Sequence, residues 1–590
     1  MTATSGIAGS SPLPKWQIAL VVGAPVALGL GYMYYRNKHG NVTGSDKSNR
    51  NKFVRSNATT KENDTPADKQ ISIDGDCPSK VPCPEPESPL QKAQNYKNKG
   101  NEHFKVGRYE KAIEQYNKAI EVCPMEDAQD LATFYQNRAA AYDQLKEYTA
   151  VKEDCSKALE LNPKYVKALL RRARTLEELK DLEAALEDIT AACLFEGFNN
   201  PSNLAMADRI LDKLGKQHAE EHMAKKKFVT PSKYIIKAYI ISFPSDPVFT
   251  RLQHSENTPE FLKKLLDALR DEDYDNIIPI CTEIIESPDF NTLPTSKLEV
   301  LLLRGTFYVL VGKRDAALED FTRILNSEDA SDNVKVNALI KKATLHMQFD
   351  TPEMSFNDFS QAINIDPNCA EIYHHRGQMS MLMNKIDDAK SDFKNALRLN
   401  PDYGVAFVQK CYTDYRYAIA NRDGELLDAA MKQFRSGFEK FPDIAECYML
   451  YAEMMTETQQ YDQADIYFAK ALEKDPKNAT FYVHRGLLQL QLNGNINKAV
   501  EYIQKAIEVD KKCELAYESL GSIEVQRGNI EEAIRLFEKA LDLCRTPVEL
   551  THVYSLRDAA KMQLKIRSRI GADGIPSADF QNSCSKLSKN

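Results

Sequence analysis

The chain has 590 residues and a formal net charge of −8, from 77 basic and 85 acidic residues that are well mixed along it. No basic field exists to recruit nucleic acid or an anionic lipid surface by counterion release, so nucleic-acid binding is set aside. The twelve cysteines are scattered singly, as at Cys155, Cys369 and Cys513, with no CxxC pair or clustered histidines; they read as buried thiols of a reducing compartment rather than zinc ligands.

In chain order, a short N-terminal segment (1–15) precedes one stretch, Trp16 to Tyr35, that carries no charge. At 1.5 Å of rise per residue such a helix just crosses a hydrocarbon core, and it is longer than the apolar stretch of a usual signal peptide. Lys15 and Trp16 bound it on one side and Tyr32, Tyr34, Tyr35 and Arg36 on the other, as interfacial belts do. Arg36, Lys38, Lys47, Arg50, Lys52 and Arg55 follow the span and only Lys15 precedes it, which places the bulk of the chain in the cytosol. The sequons at Asn41 and Asn57 are then irrelevant, because glycosylation takes place on the other side. Ala19, Gly23, Ala27 and Gly31 form a stripe of small residues on the span, and Pro25 interrupts it. Residues 36–89 are polar, without apolar periodicity, and read as a flexible tether that gives the rest of the chain reach. Cys77 and Cys83 fall there with no partner motif.

From about residue 90 the sequence repeats. Pro367, Pro401, Pro442 and Pro476 are spaced by 34, 41 and 34 residues, and 34 is the period of the tetratricopeptide repeat (TPR), a two-helix unit. Runs such as Asn364-Ile365-Asp366-Pro367 and Leu399-Asn400-Pro401 stop the second helix and turn the chain into the next hairpin. A small-aromatic-small register recurs as Ala112, Tyr116, Ala119; as Ala464, Phe468, Ala471; and as Ala533, Phe537, Ala540. Small side chains let paired helices close and the aromatic fills the remaining gap, so no cofactor is needed to explain the core. The expected fold is an all-α TPR superhelical solenoid of about eleven hairpins behind one transmembrane helix. Its blocks are 90–196 (repeats one to three), a less regular helical connector (197–290), a second repeat block (291–568) and a tail (569–590). In the connector, Lys225, Lys226 and Lys227 read as a solvated face, and the apolar run from Tyr234 to Pro244 is expected to dock one block onto the other.

No phosphate loop, H-E-x-x-H or G-x-S-x-G motif occurs, so the chain reads as a non-enzyme without cofactor or metal. Its chemistry lies on the first helices of the hairpins. With Gly100, Ala139 and Ala173 as register marks, Lys97 and Asn101 fall one turn apart on the first hairpin. Asn137 sits on the second, and Lys167 and Arg171 fall one turn apart on the third. Three cations and two amides in one groove suit an extended peptide ending in two close carboxylates, held by charge-assisted hydrogen bonds. Asn is a poor mid-helix residue, which adds weight to Asn101 and Asn137.

These five residues resemble, position for position, the dicarboxylate clamp of TPR cochaperones. The resemblance implies binding to the Glu-Glu-Val-Asp tails of heat-shock chaperones of the 70- and 90-kDa classes. Anchor, tether, clamp block and long second block together are similar to the mitochondrial import receptors, the large (70-kDa class) TPR subunits of the outer-membrane translocase (TOM complex). Tyr482 to Gln491 and Gly521 to Asn529 look like the animal members. The resemblance implies a single-pass outer-membrane protein with its C-terminal domain in the cytosol, partnered by chaperones, mitochondrial precursors and other translocase subunits. Hydrophobic precursors with internal targeting signals would be accepted and passed to the pore. First-helix positions expected to face the precursor in the second block include His374, His375, Glu453, His484 and Glu518, beside apolar Met449 and Leu450. Two other classes stay open: a cochaperone anchored at the endoplasmic reticulum with the same clamp, and a purely structural scaffold, against which the filled clamp argues.

Overall fold

The computed structural model describes residues 87–198, 200–226, 228–252, 260–288 and 296–570. The proposed span Trp16–Tyr35, nearly all of the tether, Lys227 and all but the first two residues of the tail lie outside them. The described residues contain 26 α-helices and no strand, divided into two compact units at Leu204/Ala205. No described helix is long and apolar enough to cross a membrane.

The first unit holds three hairpins: α1 (Pro89–Lys105) with α2 (Tyr109–Val122), α3 (Ala128–Gln144) with α4 (Tyr148–Leu161), and α5 (Val166–Glu178) with α6 (Leu182–Phe195). The array starts sharply. Ser88 Oγ accepts from the Gln91 amide at 3.2 Å while Gln91 Oε1 accepts from the Ser88 amide at 3.1 Å, a capping box with Pro89 at the first helical position.

The unit boundary falls in the first turn of α7 (Pro201–Met223). The second unit continues with α8 (Lys233–Ile241), α9 (Pro247–Leu252), α10 (Glu260–Arg270) and α11 (Ile277–Glu286). Seven hairpins follow: α12 (Ser296–Val311) with α13 (Arg314–Leu325), α14 (Asp332–Gln348) with α15 (Pro352–Ile365), α16 (Ala370–Leu382) with α17 (Ile386–Leu399), and α18 (Gly404–Asn421) with α19 (Gly424–Lys440). The last three are α20 (Ala445–Glu457) with α21 (Tyr461–Lys474), α22 (Ala479–Asn493) with α23 (Ile496–Val509), and α24 (Glu514–Arg527) with α25 (Ile530–Leu543), before α26 (Pro547–Ile570). With the α10/α11 pair, these make eleven hairpins, so the fold is the TPR solenoid its period indicates.

One spacing organises both units. A small residue of the first helix receives the side chain sixteen positions later on the second: a Cβ on Gly100 would meet Tyr116 at 2.5 Å, one on Gly305 Phe321 at 2.7 Å, and one on Gly521 Phe537 at 2.7 Å. In five hairpins the residue just before the small one makes an ion pair at the same separation: Arg138 with Asp154 and Arg172 with Asp188 in the first unit, and Arg304 with Asp320, Lys342 with Asp358 and Arg376 with Asp392 in the second, all within 2.9 Å. The aspartates are almost fully buried, so each pair is a register lock inside its hairpin rather than a surface ornament.

Between hairpins, Asx turns redirect the chain. Asn162, Asp366, Asn400 and Asp475 each cap their own Pro-containing turn by accepting the amide two residues on, at 2.9–3.3 Å. Pro442 follows Phe441 and has no such acceptor; α19 ends there because proline forces its predecessor out of the helical region. The two ends of the second unit meet. His218 Nδ1 lies 2.8 Å from Asp558 Oδ2, His222 Nδ1 lies 2.8 Å from the Tyr554 hydroxyl, and Gly215 leaves room for the Thr551 carbonyl. The first and last helices of this unit therefore pack against each other.

The run from Tyr234 to Pro244, expected to dock one block onto the other, packs instead into the second unit itself. Ile236, Tyr239 and Phe243 are buried in the same apolar cluster as Phe307, Phe321 and Phe359. An i, i+3 spacing puts Ile236 and Tyr239 on one face of α8, and Phe243 follows just past its end, while Lys233, Lys237 and Ile241 stay exposed.

Candidate functional site

In the first unit the first helices α1, α3 and α5 lie side by side, and the five residues singled out from the sequence sit on them. Asn101 Oδ1 accepts twice, from the Tyr116 hydroxyl at 2.8 Å and from Asn137 Nδ2 at 3.4 Å. The first contact is a product of packing: Tyr116 lies in the space that Gly100 leaves empty, and its ring delivers the hydroxyl to Asn101. Burial pushes the Tyr116 phenol up to about 12, so it stays a proton donor at neutral pH. With its oxygen committed, Asn101 presents its amide nitrogen as a donor, and the second contact ties hairpins one and two together.

Arg171 donates from Nη1 to Asp143 Oδ2 at 2.7 Å, while its Nε is buried without a partner among the described residues. Asp143 is an acid that the sequence reading did not place here. It orients the guanidinium and joins hairpin three to hairpin two, and it leaves donors of the fork for an incoming carboxylate. Lys97 is half-buried and Lys167 exposed, and neither makes an ion pair among the described residues. The structure thus joins Asn101 to Asn137 directly and Arg171 to α3 through Asp143, with both lysines on the same row of helices. Donors dominate this face, as recognition of an anionic chain end requires.

The corresponding face of the second unit is different. His374 is fully buried among Phe393, Tyr403 and His375, and both its ring nitrogens lack a partner among the described residues. His375 stacks on Phe243 at 4.2 Å between centroids, with Nε2 3.1 Å from the Ser242 carbonyl and Nδ1 3.1 Å from Gln378 Oε1. Burial lowers both histidines, His375 to about 4, so the imidazoles are neutral. Glu453 and His484 are buried against each other at 3.3 Å, and desolvation takes His484 down to about 4. Glu518 accepts from His552 of the last helix at 2.8 Å and is partly covered. Met449 and Leu450 are buried. Apart from Glu518, which keeps partial exposure, these side chains are buried.

No group of three or more metal-ligating side chains occurs among the described residues. Nine described cysteines are free thiols, eight of them buried, and burial pushes Cys155, Cys281 and Cys513 up to about 12, away from the reactive thiolate.

Tetratricopeptide-repeat family models match residues 93–125, 132–165, 155–187, 370–403 and 487–546. The crystal structure of yeast Tom70 is 27% identical, covering 81% of this chain and 97% of that one, with a TM-score of 0.48. Among curated proteins, the mitochondrial import receptor subunit TOM70 of Homo sapiens is 40% identical over 582 residues, covering 95% of this chain and 93% of the relative. That of Rattus norvegicus is 40% identical over 594 residues, covering 97% and 94%. Identity at this level along nearly the whole of both chains assigns the family: the chain belongs to the mitochondrial import receptor subunits of the TOM70 type.

Proposed function

We propose that the chain is a single-pass receptor of the mitochondrial outer membrane, held by Trp16–Tyr35 with the residues that follow in the cytosol. Its first unit docks chaperones of the 70- and 90-kDa heat-shock classes through their C-terminal Glu-Glu-Val-Asp tails. Its second unit accepts hydrophobic precursors with internal targeting signals, through the face carrying His374, His375, Glu453, His484 and Glu518, for transfer to the translocase pore. Other translocase subunits and the outer-membrane bilayer are its remaining partners. Family membership weighs for the mitochondrion over an anchor in the endoplasmic reticulum.

The observation that carries the chaperone reading is the bridged donor row of the first unit. Asn101 is held by Tyr116 and Asn137, Arg171 is oriented by Asp143, and Lys97 and Lys167 make no ion pair among the described residues. Each hydrogen bond to a charged group contributes roughly 1.5–3 kcal/mol, which corresponds to about one to two decades in affinity. Titration of the full chain in detergent with a labelled peptide ending in Glu-Glu-Val-Asp tests it. Arg171→Ala should weaken binding at least tenfold, amidation of the peptide's C-terminus should do the same, and added salt should weaken the wild-type complex. Equal affinity for the acid and amidated peptides on wild-type and variant chains would remove the clamp reading.

A further inference from the structure

The second unit carries its own occupant on the face that the first unit leaves open. Segment Ser232–Val248 runs along the first helices of the second unit from later repeats to earlier ones. The Tyr234 hydroxyl donates to Glu446 Oε1 of α20 at 3.0 Å, and its ring meets Phe481 of α22 edge-on. The Ser242 carbonyl accepts from the Tyr403 hydroxyl at 2.5 Å and lies 3.1 Å from His375 Nε2 of α16. The Ser245 amide donates to Glu371 Oε1, also of α16, at 2.5 Å, and the Asp246 carboxylate is paired with Lys341 of α14, both side chains about 1% exposed. Lys341 also stands over the Phe243 ring at 4.9 Å.

The positions that hold this segment are those of the clamp. Asn137 and Arg171 stand two residues before Ala139 and Ala173; Lys341 and His375 stand two residues before Ala343 and Gly377. Lys167 stands six before Ala173; Glu371 and Glu446 stand six before Gly377 and Ala452. The same register positions that in the first unit wait for a carboxylate thus grip, in the second, a helix followed by an acidic turn. The fit is incomplete: the buried Tyr239 hydroxyl, Glu371 Oε2 and both His374 nitrogens find no partner among the described residues, so the face has polar capacity that this occupant does not use.

We propose that Ser232–Val248 is an exchangeable internal ligand. The second-unit face binds amphipathic helices rich in tyrosine and isoleucine that end in an acidic turn, and an incoming segment of that chemistry displaces the chain's own. This rests on the reading of that face as the precursor site and specifies its mechanism: a precursor competes with a tethered rival. Tethering gives the rival an effective concentration near the millimolar range, so binding in trans is weak until the segment is released.

The test uses a labelled synthetic peptide of residues 232–248 as probe and the full chain as receptor. Wild-type chain should bind it weakly. A chain with Phe243→Ser and Asp246→Asn, which loosen the internal copy without touching the receiving helices, should bind it at least tenfold more tightly, and an excess of a hydrophobic precursor's internal segment should displace it. Because the loosened chain could fail to fold, native-state hydrogen exchange on the wild type supplies an independent reading. Amides of 233–241 should open at lower denaturant than those of α16 and α20. Failure of the peptide to bind a folded loosened chain, or exchange of 233–241 only with global unfolding, would make the segment permanent core and overturn the proposal. If the peptide binds and the precursor segment does not displace it, exchange stands and the precursor reading falls.

Discussion

The two units use one repeat and put its first-helix face to opposite uses. In the first, Asn137 and Arg171 stand at the position two before the small residue and are half-exposed; in the second, Lys341 and His375 stand at the same position and are buried under the chain's own α8 segment. A register position therefore fixes where a side chain points and leaves open whether it meets solvent, a partner or the chain itself. What decides is the presence of a covering segment, and that comes from outside the repeat.

Substitution at this shared position separates the two cases most strongly. Lys341→Ala should lower the unfolding free energy of the second unit by about 3–5 kcal/mol, because it strands the buried Asp246 carboxylate. Arg171→Ala, whose pair with Asp143 is 23% and 31% exposed, should cost under ~1 kcal/mol of stability while losing tail binding. Urea unfolding of the two variants side by side checks both numbers, and equal losses would erase the distinction.

Gly100→Ala should come next in size. Its Cβ would stand 2.5 Å from Tyr116, and overpacking of this kind costs about 1–3 kcal/mol. Since Tyr116 also holds Asn101, the same change should weaken tail binding through a residue that never touches the peptide, whereas Gly107→Ala, with nothing within 4 Å but a left-handed backbone at φ +75°, should alter stability alone.

A pH profile gives the smallest signal. His484 sits at about 4 in the folded chain, below its ordinary value near 6.5. The unfolded chain takes up this proton first, so the contribution of neutral His484 is whole above pH 6.5 and is lost as pH falls towards 4. His484→Gln should therefore flatten the fall in stability over that window by up to about 1.4 kcal/mol per pH unit. Identical slopes for wild type and variant would mean that the imidazole is not buried neutral beside Glu453.

The solenoid was legible because its punctuation is local. Proline after Asn or Asp and the small-aromatic-small register are set by backbone and packing rules that act within a few residues, and the five residues assigned to a clamp were placed by register against Gly100, Ala139 and Ala173. Asp143 was not legible, because its value to Arg171 arises across helices and no motif marks it. The sixteen-residue link between Arg138 and Asp154, repeated at Arg172, Arg304, Lys342 and Arg376, was present in the sequence and could have been found by counting. The burial of His374, His375 and Glu453 could not be read from the repeat, since an open face and a filled one use the same positions. α8 has no TPR period, so its apolar run announced that it would be buried and not where.

Hydrogen exchange followed by mass spectrometry, on the full chain with and without a Glu-Glu-Val-Asp peptide, tests the contrast between the two faces most directly. The account predicts that α1, α3 and α5 gain protection when the peptide binds, while 232–248 is already slow in its absence and stays unchanged. Rapid exchange across 232–248 in the free chain, or protection that appears only in the second unit, would contradict it.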